Sequence, residues 1–507
     1  MRKLLSSSFQ LFAAFAFALL ALGGCETGRV PVVTQAAGAG PAAASGAVRT
    51  DEAPVIPASL MTEAYARMVA RNTYFWAWPM VNAYNRRLAF TRAPAPGLVG
   101  GIMPIAPLNR LAMLTGYVDP AERLVACPNQ DVVYGAGVAA LDESPVVIQV
   151  PDFGKRFWVY QIVDLRTDSV ANLGSMYGTE PGFYLLAGPD WHGAVPEGIA
   201  QVIRSGTRTA FVVPRVFQTD TPQDNAAIQP LLNRIDMYPL AMFDGVFKQH
   251  DWKKLPAFPM PAHEGASPGE ARWVFPERFF DGLPAVLADA PPMPGEEARY
   301  SEALAVIAAA RRNPSLKAAM IDEAARADKD LVDPLLQFRN FGIPLAHHWT
   351  TQRNGGRFGT DYLTRTAVAR SNIFVNKPEE ATYFYLDLDA AGERLNAHNR
   401  YAITFAKGQW PPVQGFWSLT LYDAYHFFVP NPLDRYAIGT RNTDLRPNPD
   451  GSLTVYIQSE PPADPAQRAN WLPAPRDGDF SLMMRAYWPA AAITAGNWTP
   501  PAAQRIQ

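Results

Sequence analysis

Cys127-Pro128-Asn129-Gln130-Asp131-Val132-Val133-Tyr134 opens the stretch whose reading decides the fold, which runs on to residue 165. Residues 145–150 are apolar except at Gln149, Pro151-Asp152-Phe153-Gly154 supplies turn residues, and 156–165 is rich in aromatics. Apolar runs of strand length punctuated by Pro, Asn, Asp and Gly predict a β-hairpin with polar groups at its entrance. The same signals recur downstream. Residues 183–187, 200–204 and 209–216 are short and β-branched or aromatic, with turns such as Gly188-Pro189-Asp190 between them.

Beyond residue 380 the pattern returns at 382–388, 401–405, 416–422, 453–458 and 480–487. Ser418-Leu419-Thr420-Leu421-Tyr422 alternates with period two, and Pro449-Asp450-Gly451 offers a hairpin-type turn. Two aromatic strands end in Asp, at Asp164 and Asp423, hinting at two related β domains. Between them 218–292 is Pro-rich and irregular, with Trp252, Trp273 and Phe279-Phe280 as packing anchors. Residues 296–312 and 315–327 then switch to helical spacing around the Asn313-Pro314-Ser315 break. The expected fold is mainly β with α insertions: two β-sandwich or jelly-roll-like domains with a helical segment between them.

Upstream, Ser59 is a plausible N-cap for a helix over 60–71, and Pro79 suits the first turn of a second helix over 79–90. Tyr74-Phe75-Trp76-Ala77-Trp78 between them reads as core, with a pocket wall as the alternative. At the very start, Arg2 and Lys3 precede an apolar run, 11–22, that is too short to span a bilayer stably. It ends in Leu22-Gly23-Gly24-Cys25, which resembles a bacterial lipobox with Cys25 as the lipidated residue; an ordinary signal peptide cleaved near Gly24 is the alternative. Glu26, rather than Asp, follows the cysteine, so that resemblance implies the outer membrane. Residues 25–58, mostly Ala, Gly, Pro and Val, read as a flexible tether with a mean reach of about 30 Å. The expected organisation is thus a signal peptide (1–24), tether (25–58), N-terminal β domain (59–245), irregular and helical insertion (246–354), C-terminal β domain (355–490) and tail (491–507).

With only two cysteines and one assigned to lipidation, Cys127 has no disulfide partner, and it reads as a small packed residue more readily than as a nucleophile. A net charge of −2 from 45 basic and 47 acidic residues gives no electrostatic reason to expect nucleic acid. His347-His348 needs distant carboxylates before it could hold a metal.

Residues 65–245, carrying Pro128 to Tyr134, the Asp164 strand and the 182–193 segment, resemble the bacterial domain of unknown function 1254. Residues 355–489 resemble its companion 1214 through Phe358-Gly359-Thr360-Asp361-Tyr362-Leu363, Asn376-Lys377-Pro378-Glu379-Glu380-Ala381, 415–423 and Asn470-Trp471-Leu472-Pro473-Ala474-Pro475. The resemblance implies two β domains with helices around them, association into oligomers in some members, and a suggested phosphatase role toward inositol phosphates. Gln130 and Val132 depart from the family's Asn-Asn-Asp-Thr, and Arg166-Thr167-Asp168 stands where the pattern has Tyr-Thr-Asn.

Two functions follow. As a phosphomonoesterase acting on an extracytoplasmic substrate, the chain would use Asp131 and Asp164 as carboxylates or ligands of a divalent cation such as calcium or magnesium. Asn129 would position, Tyr134 would form a wall, and Arg166, Arg400, Arg485 and Trp471 would contact the substrate. The same groups also suit Asx turns and ordinary ion pairs. The alternative is a non-catalytic envelope protein that binds a glycan, lipid head group or protein partner. The chain contains no nucleophile elbow, P-loop or His-Glu-x-x-His.

Overall fold

The computed structural model describes residues 61–260 and 269–506, which belong to one compact unit. Cys25, the signal segment and the tether lie outside the described residues. Five sheets organise the described residues, and four of them stack in pairs.

In the N-terminal half an inner sheet runs in the order Leu111–Met113, Val132–Ala140, Thr209–Phe217, Trp158–Asp164. An outer sheet runs Asp236–Pro239, Val146–Val150, Gly182–Ala187, Ile199–Arg204. Alternation sends Val133, Ala139, Ile162 and Val212 from one and Ile148, Leu186 and Met237 from the other into a shared core. The expected hairpin between 145–150 and 156–165 is corrected here. Its two strands lie in different sheets, and Trp158–Asp164 pairs antiparallel with Thr209–Phe217 instead. Both strands are buried along their whole length. A strand flanked by protein on both faces carries no one-sided pattern to fix its partner.

The C-terminal half repeats the layering. An inner sheet of six strands has Ala381–Leu386, Phe480–Tyr487 and Trp417–Asp423 at its centre. It packs through Leu386, Leu421 and Met484 onto an outer sheet containing Arg400–Phe405 and Leu453–Gln458. The other face of the six-stranded sheet meets the outward face of the inner N-terminal sheet, where Val132, Val159, Tyr383, Met483 and Tyr487 share one cluster. The two inner sheets therefore face each other.

Helices cover the rest of that outward face. The two helices expected over 60–71 and 79–90 are a single 28-residue helix, Glu63–Phe90, capped by Thr62 rather than Ser59. Pro79 lies inside it and removes the amide that would bond the Phe75 carbonyl; Thr366 Oγ1 donates to that carbonyl at 3.1 Å instead. Tyr74, Trp76 and Trp78 are core. The helices Glu297–Ala310 and Pro314–Ala327 form as expected, with Asn313 capping the second. Pro276–Asp289, within the stretch read as irregular, is also a helix that starts on Pro276 and tolerates Pro284 inside.

Candidate functional site

Cys127 to Asp131 crosses from one half to the other. Tyr422 Oη donates to the Pro128 carbonyl at 2.6 Å, and Asn129 Nδ2 donates to Tyr487 Oη at 2.6 Å. Ser418 donates to Asp131 Oδ2, while the Arg441 guanidinium donates to the Gln130 carbonyl. Arg485 donates to the Cys127 carbonyl at 3.1 Å, to Tyr422 Oη at 2.8 Å and to Thr420 Oγ1 at 2.9 Å. Register explains the match, because Ser418 and Tyr383 pair with Arg485 and all present the same face. The signature stretch is thus a clamp that satisfies its polar groups on the C-terminal sheet. Val132, where the family pattern has Thr, is fully buried in the cluster between the sheets.

Beside this clamp lies a cavity of about 160 Å³. Its walls are mainly apolar, including Phe90, Ile105, Val138, Phe211, Val213 and Phe374. Ala136 is what leaves room on the inner N-terminal sheet: it shares a face with Tyr134 and Val138 but carries only a methyl group. Two lining residues, Cys127 (φ 55°) and the β-branched Ile373 (φ 61°), hold left-handed backbone. For Ile in particular this conformation is strained and persists only where the surroundings impose it.

Three guanidiniums reach the cavity. Arg86 is neutralised by Glu270. Arg215 and Arg485, 6% and 3% exposed, have no carboxylate within ion-pair distance among the described residues. Arg215 donates to Gln161 Oε1 and, at 3.3 Å, to Tyr134 Oη, and its Nε has no partner. Glu122 also lines the cavity. Its Oε1 accepts the Leu124 and Val125 amides, its Oε2 has no partner, and burial pushes its carboxyl up to about 8. The Cys127 thiol is pushed up far beyond the neutral range by burial, which suits packing and not nucleophilic attack.

The sequence candidates divide. Asn129, Tyr134 and Arg485 line the cavity, and Asp131 adjoins it through Asn129, whose Oδ1 accepts the Asp131 amide at 2.6 Å. Burial pushes the Asp131 carboxyl upward, while the Arg441 and Arg485 charges and the Ser418 hydrogen bond pull it back. Asp164 is elsewhere. Val132, next to Asp131, pairs with Phe217, whereas Asp164 pairs with Ala210. The seven residue steps from one partner to the other span about 23 Å, so the two carboxylates cannot act on one phosphoryl group. Asp164 closes a turn: its Oδ1 accepts the Asp168 amide at 2.9 Å, with Thr167 left-handed at φ 73°. Asp423 does the same for Phe427, with His426 at φ 68°. The matching Asp residues are turn closers at equivalent strand ends.

Arg166 joins that distant network, near Asp164 and Glu296 and donating to the Pro291 carbonyl. Arg400 is exposed on an outer strand, and Trp471 is buried with its indole N–H on the Gln458 carbonyl. Neither lines the cavity. Among the described residues no group of three His, Cys, Asp or Glu side chains is placed to hold a metal ion. Arg215 was missed from sequence, although a single charge inside the Thr209–Phe217 strand was a usable signal.

Residues 108–239 match the family described as protein of unknown function (DUF1254), and residues 380–491 match protein of unknown function (DUF1214). The chain carries both domains of this two-domain family. The crystal structure of the VPA0106 protein from Vibrio parahaemolyticus is similar at a TM-score of 0.57 and 19% identity, covering 87% of this chain and 100% of that one. That likeness concerns the fold alone. A protein from Burkholderia cenocepacia, described as uncharacterized, aligns at a TM-score of 0.42 and 12% identity over 86% of this chain and 89% of its own. No curated protein matches the chain. Both DUF1254 and DUF1214 assignments place the cavity-lining Tyr134, Arg215, Tyr383 and Arg485 inside the matched segments.

Proposed function

We propose that the protein is an extracytoplasmic binding protein, anchored to an outer membrane by lipidation of Cys25, whose cavity takes up a small organic acid with an apolar body. The observation that carries this reading is the pair of buried guanidiniums, Arg215 and Arg485, on a mainly apolar cavity, neither within ion-pair distance of a carboxylate among the described residues. A buried cation without a partner is costly, and a ligand carboxylate is the group that relieves it. The free Arg215 Nε gives that carboxylate an unclaimed donor. A cavity of about this size accommodates a single six-membered ring. Aromatic walls suit a flat body.

A phosphomonoesterase built on Asp131 and Asp164 has less support, since strand register separates them and Asp131 is already engaged by Ser418. Titration calorimetry of the full chain with benzoate and with neutral benzamide tests the binding reading. Benzoate should bind, benzamide at least about tenfold more weakly, and Arg215→Met should abolish the difference. Equal affinity for acid and amide would refute it.

A further inference from the structure

Acid recognition by Arg215 leaves the second orphan of the cavity unexplained. Glu122 is 1% exposed, held by the Leu124 and Val125 amides on Oε1; its Oε2 is buried without a partner, and its side chain lines the same cavity. A buried carboxyl oxygen without a partner is as costly as an unpaired cation is, in kind if not in size. The neighbouring charges do not claim it. Arg86 spends its donors on Asn82, the Leu124 carbonyl and Glu270, and Glu270 in turn accepts from Arg86 and the Ala126 amide.

Resting on the acid-binding reading above, we infer that Glu122 is a specificity-determining residue and that the ligand is a hydroxylated aromatic acid, its carboxylate on Arg215 and its hydroxyl on Glu122 Oε2. A hydroxyl answers Oε2 in both of its states. It accepts from a protonated carboxyl and donates to an ionised one. A bare hydrocarbon edge at this point would leave Oε2 desolvated and unbonded, and sites with buried polar groups reject analogues that lack the matching hydroxyl. The aromatic body follows from Phe211, Phe374, Tyr134 and Tyr383 in the walls and from a volume that admits one ring.

The test compares benzoate with 2-, 3- and 4-hydroxybenzoate by titration calorimetry on the full chain. At least one hydroxy isomer should bind about tenfold or more tighter than benzoate. Glu122→Gln, whose amide still fills the Oε2 position with a donor, should keep that preference. Glu122→Met should lose it, with far-UV circular dichroism and the urea midpoint reporting whether the fold is intact. Benzoate binding with no isomer preferred would overturn the role of Glu122 and leave acid binding standing. No binding of any of the four would overturn acid binding itself, and a preference that survives in Glu122→Met would assign the hydroxyl to another residue.

Discussion

Acid should loosen the joint between the two halves through one histidine. His426 is fully buried, stacks on Phe338 at 4.1 Å and has no hydrogen-bond partner for either ring nitrogen. Its carbonyl accepts the Cys127 amide at 2.9 Å, so it sits where the clamp meets the C-terminal sheet. Burial holds its pKa down to about 4, with Asp387 raising it and Arg370 and Arg394 lowering it. An unfolded histidine titrates near 6.5, so between these values the unfolded chain binds the proton and the folded chain does not. The stabilising contribution is complete above about pH 6.5 and is lost as pH falls toward 4. From pH 7.5 to pH 5 the loss attributable to His426 is about 2 kcal/mol, approaching about 3.4 kcal/mol below pH 4. His426→Phe keeps the ring stacking and cannot titrate. Urea unfolding at the two pH values, with wild type and variant compared at each, isolates the residue from the opposing titrations of Glu122 and Asp164, whose raised values favour the folded state at low pH. Parallel losses in wild type and variant, within about 0.5 kcal/mol, would refute the reasoning.

Two further outcomes follow from the cavity and its clamp. Ala136→Leu should fill part of the cavity, raise the stability of the ligand-free chain by about 1 to 2 kcal/mol and abolish benzoate binding, as read by thermal unfolding and calorimetry; retained affinity would place the ligand elsewhere. Asp131→Ala should remove the buried carboxylate that Ser418 donates to and whose charge acts on Arg441 and Arg485, and cost about 1 to 3 kcal/mol of unfolding free energy; an unchanged urea midpoint would show that Asp131 does not hold the halves together.

Much of the architecture was legible because its signals are local. Turn residues and period-two alternation located nearly every long strand, and Asn313-Pro314-Ser315 fixed a helix boundary through a cap that the structure shows accepting from Ser315 and Leu316. Local signals also misled. Pro79 reads as a helix start, yet Thr366, nearly three hundred residues away, satisfies the carbonyl it orphans and lets the helix run through. The site was half legible. Asn129, Tyr134 and Arg485 stood out by motif or residue type and line the cavity, while Asp164 lies away from it in a turn, a role that an Asp at a strand end serves as readily as a reaction.

The sequence alone determined the β-rich class with its helical segment and the resemblance to the two matched families, since these rest on patterns within about ten residues of one another. Which sheet each strand joins was a tertiary decision, for Val146–Val150 and Trp158–Asp164 are buried on both faces and carry no one-sided pattern to choose a neighbour. The cavity was decided the same way. Arg215 and Arg485 lie 270 positions apart, and only the packing of one sheet face on another brings two such charges to one mainly apolar space with no carboxylate within ion-pair distance of either among the described residues.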